Sequence, residues 1–121
     1  MIESYFQEIE TLISSLRIVA SYSVTKKVYN EQQGFIKGVI RFVNDSTLEF
    51  AEVKDVERSP KIKYRYHYMN EKQELIFRYD NALHHAHLAT FPHHKHVLSE
   101  VIESDEPNLV DVMQEIRSLI S

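Results

Sequence analysis

Lys61-Ile62-Lys63-Tyr64-Arg65-Tyr66-His67-Tyr68, followed by Asn70-Glu71-Lys72-Gln73 and Glu74-Leu75-Ile76-Phe77-Arg78-Tyr79-Asp80, is the stretch from which the fold is read. Side chains alternate across a strand, so Ile62, Tyr64, Tyr66 and Tyr68 share one face and Lys61, Lys63, Arg65 and His67 the other. The polar Asn70 to Gln73 segment then returns the chain. A four-residue loop predicts that Tyr68, Tyr66 and Tyr64 meet Leu75, Phe77 and Tyr79, with Arg65 beside Arg78 and Lys63 beside Asp80. One hairpin thereby gains an aromatic face and a cationic face. Two arginines set opposite one another repel unless an anion lies between them, which hints at phosphate. Tyr64, Tyr66, Tyr68 and Tyr79 read as core in preference to a platform for stacking bases.

Upstream, Phe35 to Val43 and Leu48 to Val53 flank Asn44-Asp45-Ser46-Thr47, whose short side chains bond their own backbone and suit a turn. With Asn44, Asp45 and Ser46 as the loop, Phe42 faces Leu48 and Ile40 faces Phe50. The β-branched run Ser23-Val24-Thr25-Lys26-Lys27-Val28-Tyr29, closed by Asn30-Glu31-Gln32-Gln33-Gly34, predicts a first strand. Before it, Ile2, Tyr5, Phe6, Ile9, Leu12, Ile13 and Leu16 fall on one face of a helix over residues 2–16. Downstream, Ser104-Asp105-Glu106-Pro107 predicts a helix start ahead of Leu109, Val112, Met113, Ile116, Leu119 and Ile120. The order predicts an α+β fold: a single domain over residues 1–121, with a curved antiparallel sheet of about five strands between an N-terminal and a C-terminal helix.

The 121 residues are 43% hydrophobic and 26% charged with two Gly and three Pro, which suits one well-packed core and excludes disordered and collagenous classes. No run approaches the roughly 20 apolar residues of a membrane span, and Met1-Ile2-Glu3-Ser4 does not open a signal peptide, so a cytoplasmic protein without membrane partners is expected. Without cysteine, thiolate metal sites and cysteine nucleophiles are excluded, and histidine and oxygen must carry the chemistry. The formal charge of −4 hides a split. Glu57 to His96 carries seven basic and four acidic residues, a net +3, which leaves −7 on the flanks.

Six of the seven histidines lie between His84 and His96, as two copies of His-His-x-His nine positions apart: His84, His85, His87 and His93, His94, His96. Three readings compete. In one, the rings cap strands and bond backbone carbonyls in an ordered polar loop. In the second, His84, His85, His94 and His96 supply ligands to one transition metal ion such as zinc, with Asp80 the nearest carboxylate. In the third, no cofactor is needed: one imidazole takes a proton from a ribose 2′-hydroxyl and another gives one to the leaving oxygen. Cations for the phosphate stand close in sequence, Lys95 in the cluster and Arg65 and Arg78 on the hairpin. Gly-rich phosphate loops, Gly-x-Ser-x-Gly elbows and His-Glu-x-x-His helices are absent from the sequence.

The runs Lys63-Tyr64-Arg65-Tyr66-His67-Tyr68, Glu74-Leu75-Ile76-Phe77-Arg78-Tyr79-Asp80-Asn81-Ala82, His84-His85 and Thr90-Phe91-Pro92-His93-His94-Lys95-His96 resemble the TumE family of toxin–antitoxin toxin components. Arg78, Asp80, Asn81, His84, His85, His93, His94, Lys95 and His96 fall on the motif. Leu83 departs from it where Pro is expected, as does Ala86-His87 where Pro and an acidic residue are commoner. The resemblance implies growth inhibition relieved by a helix-turn-helix antitoxin partner, and by analogy with other small toxins it implies an RNA substrate. The expected site then has His94 or His96 as base, His85 or His67 as acid, and Arg65, Arg78 and Lys95 on the phosphate, with Lys63 and Asn81 beside them. His93 and Asp80 would orient the rings. The alternatives are a metal-binding regulatory module and a plain interaction protein, in which the basic centre of one chain meets an acidic antitoxin segment or the acidic flanks of a second copy in a homodimer.

Overall fold

The computed structural model describes residues 1–120. Helix α1 (Ile2–Ser15) leads into seven strands, β1 (Val19–Val28), β2 (Gln33–Phe42), β3 (Thr47–Asp55), β4 (Lys63–Met69), β5 (Leu75–Asp80), β6 (His94–Val97) and β7 (Glu100–Glu103), and helix α2 (Leu109–Leu119) closes the chain. The strands pair antiparallel in sequence order, each with the next. The α+β class stands, with seven strands in place of about five, because the histidine segment closes its own short hairpin, β6–β7.

Both helices pack on one face. Ile2, Phe6, Ile9 and Ile13 of α1 and Leu109, Val112, Met113 and Ile116 of α2 join Ile36, Ile40, Leu48, Phe50 and Phe77 in one buried cluster. Tyr64, Tyr66 and Tyr68 are at most 2% exposed in the same cluster, so these tyrosines are core. Their hydroxyls stay bonded: Tyr66 donates to Glu52 at 2.5 Å and Tyr68 to Ser46 Oγ at 2.7 Å. Helix α1 comes so close to β2 that a Cβ on Gly34 would lie 2.8 Å from Phe6 Cζ and 2.9 Å from Ile2 Cγ1. At the other end α2 starts later than its Pro suggests. Asn108 is the N-cap, bonding the Asp111 N–H while the Asp111 side chain accepts from the Asn108 N–H.

Two hairpin registers differ from expectation, each by two residues. Phe42 N–H donates to Ser46 O and Asp45 N–H to Phe42 O, so Val43, Asn44 and Asp45 make a three-residue loop that ends on left-handed Asp45, φ 67°. Ile40 therefore faces Leu48, and Gly38 faces Phe50. Glu71, Lys72 and Gln73 build the same turn between Asn70 and Glu74, with Gln73 at φ 63° and a register shift between Tyr68 and Met69. Arg65 consequently stands opposite Asp80 and Arg78 opposite His67, which removes the predicted facing arginines. A slip of two leaves the side chains within β4 and β5 on their predicted faces, whereas Lys61 and Ile62, just before β4, are reversed: Lys61 is buried and Ile62 is exposed.

Candidate active site

The face of the sheet turned away from the helices carries the histidine cluster. Registers align two rows across it: Lys37, Ala51, Arg65, Asp80 and His94 from β2 to β6, and Glu49, His67, Arg78 and His96 from β3 to β6. The segment between β5 and β6 folds back over this end of the sheet through short turns, Leu88 N–H to His85 O and His93 N–H to Thr90 O. His85, held at φ 60°, brings its ring to 5.1 Å from that of His94 and 5.8 Å from that of His96, centroid to centroid. His94 and His96 are themselves 4.9 Å apart.

Asp80 anchors the group and is only 3% exposed. Its Oδ1 accepts from the Ala82 N–H at 3.0 Å and lies 2.8 Å from His94 Nε2, while Oδ2 accepts from Arg78 Nε at 3.0 Å and lies 3.6 Å from His96 Nε2. His94, 1% exposed, has its other nitrogen 2.9 Å from the Pro92 carbonyl oxygen. Both partners of this ring are acceptors, so both of its nitrogens are engaged within the protein. No lone pair of His94 is free to take a proton from a substrate. His96 differs, with a side chain 29% exposed. Burial is the largest influence on it and pushes it below the ordinary histidine value; Asp80 pulls upward, and His94, Arg78 and His85 add to the fall.

His67 is also pushed down, first by burial, then by Arg78, with Glu49 opposing and Arg65 adding to the effect. Its Nδ1 is buried with no hydrogen-bond partner, a feature more often met at functional sites than in finished cores. Arg65 and Lys63 are exposed and have no carboxylate partner among the described residues.

Other expected residues are held elsewhere. Lys95 points to the helix side, where Nζ bonds Glu115 at 2.7 Å and lies 4.7 Å from the Tyr79 ring centre. Burial acts to lower its ammonium, but the Glu115 and Tyr79 hydrogen bonds outweigh it and hold the group above its ordinary value. His93 is on that side too, its Nδ1 2.8 Å from the Tyr64 hydroxyl and its ring stacked on Tyr64, so it does not orient the cluster. Alternation along β6 separates Lys95 from His94 and His96, and His93 lies just before the strand on the Lys95 side. Lys61, expected on the cationic face, lies before β4 and is buried against Pro107 O at 2.8 Å. Asn81 accepts the Tyr64 N–H and donates to Ile62 O, pinning the start of β4. His84 and His87 are exposed at the rim, 6.2 and 5.9 Å from the His85 ring.

The ring nitrogens of His85, His94 and His96 approach within 4.8 Å of one another, a spacing that fits a metal ion. His84 is not among them. A metal on His94 would have to take Nε2 from Asp80 or Nδ1 from Pro92, so only His85 and His96 offer nitrogens without such a competitor. Three features of the site were not foreseen from the sequence: the Ala82 N–H, the Pro92 carbonyl and Lys37. Only Lys37 left a signal, its parity with Phe35 and Val39 in a strand whose even positions are core.

Residues 9–120 match the family model described as toxin TumE. No curated protein and no solved structure matches the chain significantly.

Proposed function

This chain belongs to the TumE toxin family, the toxin side of a toxin–antitoxin pair with a cognate antitoxin, and we propose that it arrests growth as a metal-independent endoribonuclease. The observation that carries this reading is the row His67, Arg78, His96 across three adjacent strands, with the Arg78 guanidinium anchored through Nε on Asp80 beside that row. The outer strands are two spacings apart, about 10 Å, enough for a phosphodiester over Arg78 with one ring on either side.

In the proposed reaction His96 takes the proton of the ribose 2′-hydroxyl, and the 2′-oxygen forms a bond to phosphorus. The bond from phosphorus to the 5′-oxygen breaks as His67, in its protonated form, gives that oxygen a proton. The products are a 2′,3′-cyclic phosphate and a 5′-hydroxyl, with no water consumed in this step. In-line displacement needs acid and base on opposite sides of phosphorus. His85 and His96, with nitrogens within 4.8 Å, stand too close together to flank it, which favours His67 as the acid. Arg65 and the outer nitrogens of Arg78 hold the phosphate oxygens, and their neutralisation by that anion relieves part of the push against a proton on His67. Asp80, itself held by His94, fixes the base, and His85 covers it. The partner is proposed to be a helix-turn-helix antitoxin, on the resemblance, with an acidic segment to meet the basic centre.

The test is purified protein on single-stranded RNA with EDTA present. Cleavage should persist, should leave 2′,3′-cyclic phosphate ends, and should be lost in His96→Ala and His67→Ala. Products with 5′-phosphate ends and a strict requirement for added metal would reject the mechanism.

A further inference from the structure

Beyond the histidine cluster, the open face of the sheet forms a trough of about 860 Å³ that runs from Asp80 and Arg78 toward β1. Its depth has a local cause. Ala51 sits in β3 between Lys37 and Arg65, and Val53 sits between Phe35 and Lys63, so short side chains on the middle strand separate longer ones on either side. Lys37, Lys63 and Arg65 rim it together with Glu49, and none of the three cations has a carboxylate partner among the described residues. Phe35 lies in the trough and takes no part in the core cluster to which Phe6, Phe42, Phe50 and Phe77 belong. Tyr29, exposed, lines the far end.

We propose that this trough is a binding track for single-stranded RNA next to the scissile phosphate, with Lys37 and Lys63 on backbone phosphates and Phe35 stacked on a base. The inference rests on the ribonuclease reading and extends it to a substrate class. Unpaired cations following a groove, with an aromatic ring on its floor, are the recurring means of holding single strands without sequence readout. A duplex keeps its bases stacked inside and offers no free ring face to Phe35. The row Lys37, Ala51, Arg65, Asp80 makes the trough continuous with the candidate site over three strand spacings, about 14 Å, so a strand leaving the cleavage point stays on protein for more than one nucleotide. Charge complementarity alone would also suit an acidic peptide; the ring and the continuity favour RNA.

The experiment is fluorescence anisotropy with a labelled 2′-O-methyl oligonucleotide, which has no free 2′-hydroxyl and so cannot be cleaved by this chemistry. Wild type should bind it more tightly than a duplex of the same sequence, and tighter as salt falls. Lys37→Glu, a change at an exposed position, should weaken binding by about tenfold or more and flatten the salt dependence. Phe35→Leu, which keeps apolar bulk, should weaken binding with the salt slope unchanged. No binding by wild type at low salt, or Lys37→Glu binding as tightly as wild type, overturns the proposal. Cleavage of the unmodified oligonucleotide is read in parallel. Unchanged Lys37→Glu affinity with intact cleavage removes the track and leaves the nuclease, whereas the expected binding pattern without any cleavage keeps the track and removes the nuclease.

Discussion

His94 and His96 are two residues apart on one strand and sit in different surroundings. His94 is closed in by Asp80 and Pro92, while His96 is partly exposed and lies 3.6 Å from Asp80. His96→Ala should cost about 10²- to 10⁴-fold in cleavage rate, the usual value of a general base, with little change in Tm. His94→Ala should lower both rate and Tm, because it strips a buried carboxylate of a partner. Since His96 titrates below the ordinary histidine value of about 6.5, the acidic limb of the kcat/KM profile should fall below that pH. Asp80 pulls His96 upward, so Asp80→Asn should move the limb to still lower pH while reducing the rate. His93→Ala and Lys95→Ala should change cleavage by no more than a few-fold and lower Tm, since both side chains are held on the helix side. That separation was within reach of the sequence: alternation puts positions 93 and 95 on one face and 94 and 96 on the other once a strand is assigned. The strand is only four residues long and sits in a run of histidines, so no apolar pattern announced it.

Among the elements, the helices and the long strands were legible because their apolar residues recur with unbroken periods, from Ile2 to Ile13 in α1 and from Tyr64 to Tyr68 in β4. Registers were not legible, because each was set by a three-residue loop ending on left-handed Asp45 or Gln73 in place of the glycine that usually marks such a turn. Gly38, by contrast, is required by packing. A Cβ there would lie 2.6 Å from Phe50 Cε1 and 2.9 Å from Ser23 O, so Gly38→Ala should destabilise the protein by about 1–3 kcal/mol, measured by urea unfolding. Asn108→Ala removes the side-chain half of a capping box and should cost about 1 kcal/mol in the same assay, with cleavage at low temperature unchanged.

Over the whole molecule, one face of the sheet is sealed by two helices and the other is left with the polar chemistry. Sequence alternation separated the two faces correctly from Lys63 to Tyr68 and failed at Lys61 and Ile62, which precede the strand. It could not say which histidines converge, because Asp80, His85, His94 and His96 meet only when the segment from Asn81 to His93 folds back over the strands. The same burial makes stability depend on pH. His67 and His96 bind protons less readily folded than unfolded, so their contribution is complete above pH about 6.5 and is lost as pH falls from there through their lowered folded values. A thermal scan should accordingly give a falling Tm from pH 7 to pH 5, with a shallower fall in His67→Gln. The central claim, a toxin that cleaves RNA with histidines of the open face, is tested most directly in cells, by following growth and total RNA integrity after induction at matched soluble levels. Wild type and Lys95→Ala should arrest growth and fragment RNA, and His67→Ala and His96→Ala should do neither. Arrest by the His67→Ala, His96→Ala double variant equal to that of wild type, with RNA intact in both, would contradict it.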